Sequence, residues 1–155
     1  MSRFELRVLP QEEDYKTPYE LVEGFNDHWW HNRAKRVGKG GLGGKEYLQF
    51  LAEGNEVGRA EITDSSLSDA YEGIDAPIET KQIWFFEIRQ EFRRHGYGEE
   101  FAQHLVEYYP GIPLIAFSED ADEFWSGIGW HYFPRKDGIG WPQYRSLFIS
   151  EQISQ

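Results

Sequence analysis

Between Ile83 and Tyr109 the chain passes from a dense apolar run, IWFFEI, through RRHGYG, into a segment whose apolar residues recur at helical spacing. The run Ile83 to Ile88 is short, aromatic and β-branched, which predicts a buried strand. Phe101, Ala102, Leu105, Val106 and Tyr109 fall on one helical face, and Pro110-Gly111 stops the helix. A strand, a glycine pair and a helix start therefore follow one another with almost no connecting chain. That order is what an anion cradle requires. Gly96 and Gly98 let the backbone come close and leave its N–H groups open. The helix start adds a favourable dipole. Arg93 and Arg94 add charge-assisted donors, His95 follows them, and Tyr97 stands between the two glycines. The same residues also fit an ordinary strand-to-helix turn. Three known phosphate or nucleotide motifs fail here. A Walker A loop needs Lys and Ser or Thr where Glu99 and Glu100 stand, the dinucleotide fingerprint needs glycine where Phe101 stands, and the two acids also break the RNA-recognition signature.

The remaining pattern predicts a mixed α/β chain built on one sheet. Phe4, Leu6 and Val8 alternate with charged residues as a half-buried strand, ended by Pro10. Thr17-Pro18-Tyr19-Glu20 reads as a helix start, and the apolar spacing after it predicts a helix from about 18 to 31. Arg33 to Lys45 holds five basic residues and five glycines, with no acid and no apolar period. It reads as a loop, either a solvated linker or a flap over an anionic ligand. Tyr47 to Ala52 and Val57 to Ile62 read as a hairpin around Glu53-Gly54-Asn55-Glu56. Thr63 to Gln82 reads as a long polar connection. Beyond the Tyr109 helix come a strand at Leu114 to Phe117 and a short helix at Asp120 to Ser126 capped by Asp120. Strands at Trp130 to Phe133 and Tyr144 to Ile149 close the order β-α-β-β-β-α-β-α-β-β.

Length and composition narrow the class. A chain of 155 residues favours one domain, 1-155. With no cysteine there is no disulfide, thiolate nucleophile or cysteine zinc site, which suits a reducing, cytoplasmic setting. No apolar run reaches the length of a membrane span, so no membrane partner is expected. A net charge of −11 disfavours phosphate backbones, so no nucleic-acid partner is expected either. His28 and His31, three apart on the first predicted helix, lack an evident third ligand, and no metal is expected. Trp29, Trp30 and Trp141 would suit a homodimer if exposed.

A second motif stands downstream. Ser118-Glu-Asp-Ala121-Asp-Glu-Phe124-Trp125-Ser-Gly-Ile-Gly129-Trp130 lies one helix and one strand after the glycine pair. With R-x-x-G-x-G, this pair of segments resembles the GNAT family of acyl-CoA-dependent N-acyltransferases, whose second segment reads N-x-x-A-x-x-F-Y-x-x-x-G-F. Ala121, Phe124 and Gly129 match, Ser118 replaces Asn, and Trp130 replaces Phe. The likeness spans roughly residues 45 to 134. It implies a single mixed, mostly antiparallel sheet of six to seven strands flanked by helices, with the fourth and fifth strands splayed. It implies acetyl-CoA as cofactor, its pyrophosphate on the N–H groups of Arg94 to Gly98, and its pantetheine arm paired to backbone near Ile88, with Ser118 and Trp125 further along.

The chemistry so implied is attack of an amine, small and cationic or carried on a protein, on an acyl thioester. It needs a base for the ammonium, donors for the developing oxyanion and an acid for the leaving thiolate. Glu87, the one charge in the IWFFEI strand, is the expected base. Its other reading is a carboxylate paired with an arginine. The family's usual acid is a Tyr where this chain has Trp125, which donates no useful proton. Water, Ser118 or Tyr97 could serve instead, or the domain could bind acyl-CoA without transferring its group. Residues 53 to 91 carry ten acids against three bases, read either as a solvated face or as a funnel for a cationic amine. A protein-interaction domain with an accidental glycine turn is the remaining alternative.

Overall fold

The computed structural model describes residues 3–10, 19–20, 22–25 and 46–151. Seven strands form one sheet in the order β1-β2-β3-β4-β5-β7-β6. They are β1 (Phe4–Leu9), β2 (Glu46–Ala52), β3 (Asn55–Leu67), β4 (Ile78–Ile88), β5 (Leu114–Phe117), β6 (His131–Phe133) and β7 (Leu147–Ile149). Helix α1 (Tyr97–Tyr108) joins β4 to β5, and α2 (Asp122–Gly127) joins β5 to β6. All neighbouring strands run antiparallel except β4 and β5. The helical crossover through α1 is what permits that parallel pair.

The first difference from the sequence reading is the length of the central hairpin. Residues 63–67 and 78–82 are strand, not a connection, and Thr63 to Leu67 pair in register with Gln82 to Ile78. Their side chains carry no apolar alternation because polar contacts hold this end. Ser65 Oγ meets Gln82 Oε1 at 3.1 Å, Thr80 Oγ1 donates to the Ser65 carbonyl, and Lys81 pairs with Asp64. The second difference concerns the predicted helix from 18 to 31, most of which lies outside the described residues. Within it, Val22 to Phe25 make a turn, and Gly24 adopts φ 98°, which no α-helix contains. The loop Arg33 to Lys45 and the residues His28, Trp29, Trp30 and His31 also lie outside the described residues. At the far end, β7 begins at Leu147, and Tyr144 lies in the preceding turn, its N–H donating to the Gly140 carbonyl and its ring 3.8 Å from the Arg135 guanidinium.

The two larger cores lie on opposite faces of the sheet, and Tyr19 and Tyr47 form a third, small cluster with Leu9. The larger packs α1 and α2 against β2, β3 and β4. Phe101, fully buried, is stacked between Phe50 and Phe86 with ring centroids 4.8 Å away on each side. His104 turns its ring toward Phe4 and Phe50, at 5.5 and 5.1 Å. Gly58 makes this packing possible, since a Cβ there would lie 2.7 Å from the Phe101 ring. The smaller core gathers Leu67, Tyr71, Ile74, Ile115, Leu147 and Ile149 on the other face.

Tyr19, Tyr47 and Tyr109 are buried with their hydroxyls neutral. The Tyr19 hydroxyl lies 2.8 and 2.7 Å from the carbonyls of Leu48 and Ala60, and Tyr109 donates to Glu46 at 2.7 Å. Burial raises the pKa of Tyr19, Tyr47 and Tyr109, with the nearby charge of Glu61 adding to the rise at Tyr47. A raised folded value means stability that is complete below the ordinary tyrosine range and is lost as pH climbs through it. Each group then removes up to about 1.4 kcal/mol per pH unit. Urea midpoints should therefore fall steeply between about pH 10 and 11. A flat profile there would show that these hydroxyls ionise freely in the folded chain.

Candidate functional site

The site begins at a bulge. β3 and β4 shift register between Glu61 and Ile62, whose partners are Phe85 and Ile83, so Trp84 is the extra residue. The bulge resets the strand so that Ile83, Phe86 and Ile88 all belong to the α1 core, while Glu87 stands opposite Arg59 on β3. The same point ends the parallel pairing. β4 is paired with β5 only through Lys81, Gln82 and Ile83. From Trp84 to Ile88 its outer edge has no strand beside it among the described residues, so the two strands part as the resemblance implies.

A cleft of about 770 Å³ opens where they part. Phe86, Ile88, Phe92, Phe124, Trp125 and Ile128 line its apolar interior, and Arg93, Arg94, Gly96, Tyr97 and Gly98 line its mouth. The turn is built by two left-handed residues, Arg94 at φ 68° and Gly96 at φ 80°. Gly96 caps α1 with no side chain, and a Cβ there would meet nothing within 4 Å, so its backbone is open. Gly98 has a different role. A Cβ there would lie 2.8 Å from the Phe124 ring, so the missing side chain lets α1 and α2 close on each other at the cleft. First-turn N–H groups, an αL turn and two arginines are the components of an anion site.

The expected site residues divide as follows. Ile88, Arg93, Arg94, Gly96, Tyr97, Gly98 and Trp125 all line the cleft, as does Glu87. His95 sits on the exposed turn, its ring 6.3 Å from that of Tyr97, outside the lining. Ser118 is buried and borders a neighbouring hollow of about 680 Å³ with Trp141, not the main cleft. Its Oγ accepts the Ala121 N–H at 3.0 Å. This corrects the expected cap: Ala121 occupies the N-cap position of α2 without a side-chain cap bond, and Asp120, at φ 56°, turns the chain ahead of it. Tyr97 accepts a hydrogen bond from Arg3 at 3.0 Å, which points its hydroxyl toward β1. Trp125 is 5% exposed and packs on Phe86, Phe124 and Trp130, a core residue that shows one edge to the cleft.

Glu87 shows the arginine pairing that was its alternative reading. Its side chain is 11% exposed, and Oε2 lies 3.4 Å from Arg93 Nη2. Arg93 Nε also donates to the Ile88 carbonyl at 2.8 Å. Glu56, Asp64, Glu87 and Glu91 are each ion-paired, and Glu61 is buried on β3. Phe92 and Ile128, which the sequence reading did not single out, also line the cleft, beside Phe124 of the second motif.

No protein-family model and no curated protein matches this sequence. Solved structures do match the fold. A variant of the toxin AtaT, bound to the C-terminus of the antitoxin AtaR and acetyl-CoA, superposes with a TM-score of 0.61 at 14% identity, over 95% of this chain and 92% of that one. The KacTA–DNA complex superposes with a TM-score of 0.59 at 13% identity, over 94% and 91%. That complex contains DNA. The N-acetyltransferase YlbP of Bacillus subtilis, in complex with coenzyme A, aligns at 13% identity with a TM-score of 0.49; this chain spans 65% of its length.

Proposed function

We propose that this chain, which has the fold of the GNAT acetyltransferases, binds acetyl-CoA in the cleft between β4, α1 and α2 and transfers the acetyl group to an amine. One observation carries the reading: β4 parts from β5 at the Trp84 bulge, and the cleft so formed has an apolar interior and an arginine-flanked, glycine-backed mouth. The mouth suits a pyrophosphate, and the unpaired edge of β4 suits an extended arm. When bound, acetyl-CoA supplies an activated thioester. The chain's own residues then position and deprotonate. N–H groups on the free β4 edge would face the developing oxyanion. Glu87, on the strand that lines the cleft, would take the ammonium proton directly or through water.

The second reading is an acyl-CoA-binding module without transfer. It is favoured by Trp125, a buried indole at the position where the resembling family carries a hydroxyl. Release of free thiol from acetyl-CoA, followed with a panel of polyamines, aminoglycosides and lysine peptides, separates the two. Turnover with any of them above the rate of hydrolysis supports transfer. Binding of CoA without turnover on the whole panel moves the reading to the module.

A further inference from the structure

We propose that β1 is a dimerisation edge: two copies of this chain pair antiparallel through β1, about a two-fold axis at Leu6, and join their sheets into one. β1 is the outermost strand, and among the described residues β2 is its only neighbouring strand. A straight strand with an unpaired edge is a template for another chain, and proteins blunt such edges with bulges, prolines or short length. The opposite edge of this sheet is blunted in that way, since β6 has three residues and is followed by Pro134. β1 has six residues, none of them Gly, Pro or Lys, and keeps register with β2 from end to end. The Glu53 N–H donates to the Arg3 carbonyl at 2.8 Å, which fixes the phase of the ladder. Glu5, Arg7 and Leu9 therefore turn their backbone groups toward β2, and Leu6 and Val8 turn theirs outward.

The charges on the strand select a second copy as its occupant. Outward groups pair with outward groups, so a two-fold axis falls on a residue and not between two. An axis on Leu6 lets that residue exchange both hydrogen bonds with its own copy. It also sets Glu5 opposite Arg7 of the second copy, and Arg7 opposite the second Glu5, in the close positions of the ladder. An axis on Glu5 or on Arg7 would set like charge against like, so the charges also specify the register. Both side chains are exposed on one face and already meet within the strand, Arg7 Nη2 lying 3.0 Å from Glu5 Oε2. Pairing would close them into a ring of four alternating charges. Among the described residues the neighbouring charges are committed elsewhere. Arg3 pairs with Glu53, and Glu56 is held by Arg59 and by Gln49 of β2. Val8, 36% exposed, adds an apolar side chain at the same edge. One short strand pair is a small interface, so the dimer belongs in the micromolar range.

The proposal is independent of the acetyl-CoA reading and is tested without cofactor. Sedimentation velocity of wild type across the micromolar range should show a monomer–dimer equilibrium. Glu5→Arg makes the exposed face of the strand all basic, and Arg7→Glu makes it all acidic. Each should weaken self-association by about 10- to 100-fold, since symmetry repeats the change twice. Mixed in equal amounts, the two variants should associate again, to within about threefold of wild type, because each face then meets its opposite. An exposed ion pair holds little of the fold, so both variants should melt close to wild type. Val8→Pro removes an outward N–H and sets a ring in the path of the incoming strand, while β1 keeps its bonds to β2. It should give a folded monomer by circular dichroism and sedimentation; should it fail to fold, the charge variants alone decide. Wild type that stays monomeric throughout the range overturns the proposal. A dimer that the charge reversals leave intact also overturns it and places the interface on another face. Two variants weakened alone that do not pair when mixed overturn it as well, since the loss would not then come from the charge register.

Discussion

Glu87→Gln is expected to lower kcat by about 10²- to 10⁴-fold at saturating acetyl-CoA, with the affinity for CoA changed by no more than about threefold. The substitution keeps the shape of the side chain and removes only its capacity to accept a proton. The carboxylate lies on the β4 strand just beyond the point where β5 leaves it, where an acyl group held in the cleft would meet an amine. The ion pair with Arg93 spans 3.4 Å, and one of its partners is half exposed, so its loss should shift the thermal midpoint little. Steady-state kinetics with the best amine of the panel, alongside CoA titration, check this directly. An unchanged kcat would assign Glu87 to the arginine pairing alone and place the base elsewhere.

Phe101→Ala is expected to destabilise the fold by about 3–5 kcal/mol. The ring is fully buried, and it is the one side chain of α1 stacked against both β2 and β4, through Phe50 and Phe86. Its removal leaves a cavity under the helix whose first turn forms the mouth of the cleft. CoA affinity should drop with it even under conditions where the variant remains folded. Gly58 offers the matching test from the other side, because Gly58→Ala places a methyl 2.7 Å from the same ring and should cost about 1–3 kcal/mol. Denaturant titrations would measure both. A loss below about 1 kcal/mol for Phe101→Ala would mean that α1 is anchored by other contacts.

Much of this site was legible before the structure because its parts are local. IWFFEI, the glycine pair and the apolar face of α1 are consecutive, and each depends on backbone geometry that neighbouring residues set. The long β3–β4 hairpin was not legible beyond Ile62, because Thr63, Asp64, Ser65, Thr80 and Gln82 hold that end by side-chain hydrogen bonds and an ion pair, which leave no apolar period. Two features needed the third dimension. The Trp84 bulge becomes visible only once its partners across β3 are known, and it fixes both the splay and the face on which Glu87 stands. Gly98 looked like a second open backbone position, yet it serves to bring Phe124 against α1, a contact between residues far apart in sequence. The role expected of Asp120 failed for a similar reason. Ser118, at the end of a strand, reaches the Ala121 N–H first.

The central claim is that the turn from Arg93 to Gly98 holds the pyrophosphate of coenzyme A. The direct measurement is calorimetric titration of acetyl-CoA into wild type and into Arg94→Glu, an exposed charge reversal at the mouth of the cleft. Micromolar binding by wild type, weakened about 10- to 100-fold in the variant, is the predicted result. Folded wild type that takes up no acetyl-CoA, or equal affinity in the two proteins, would contradict it.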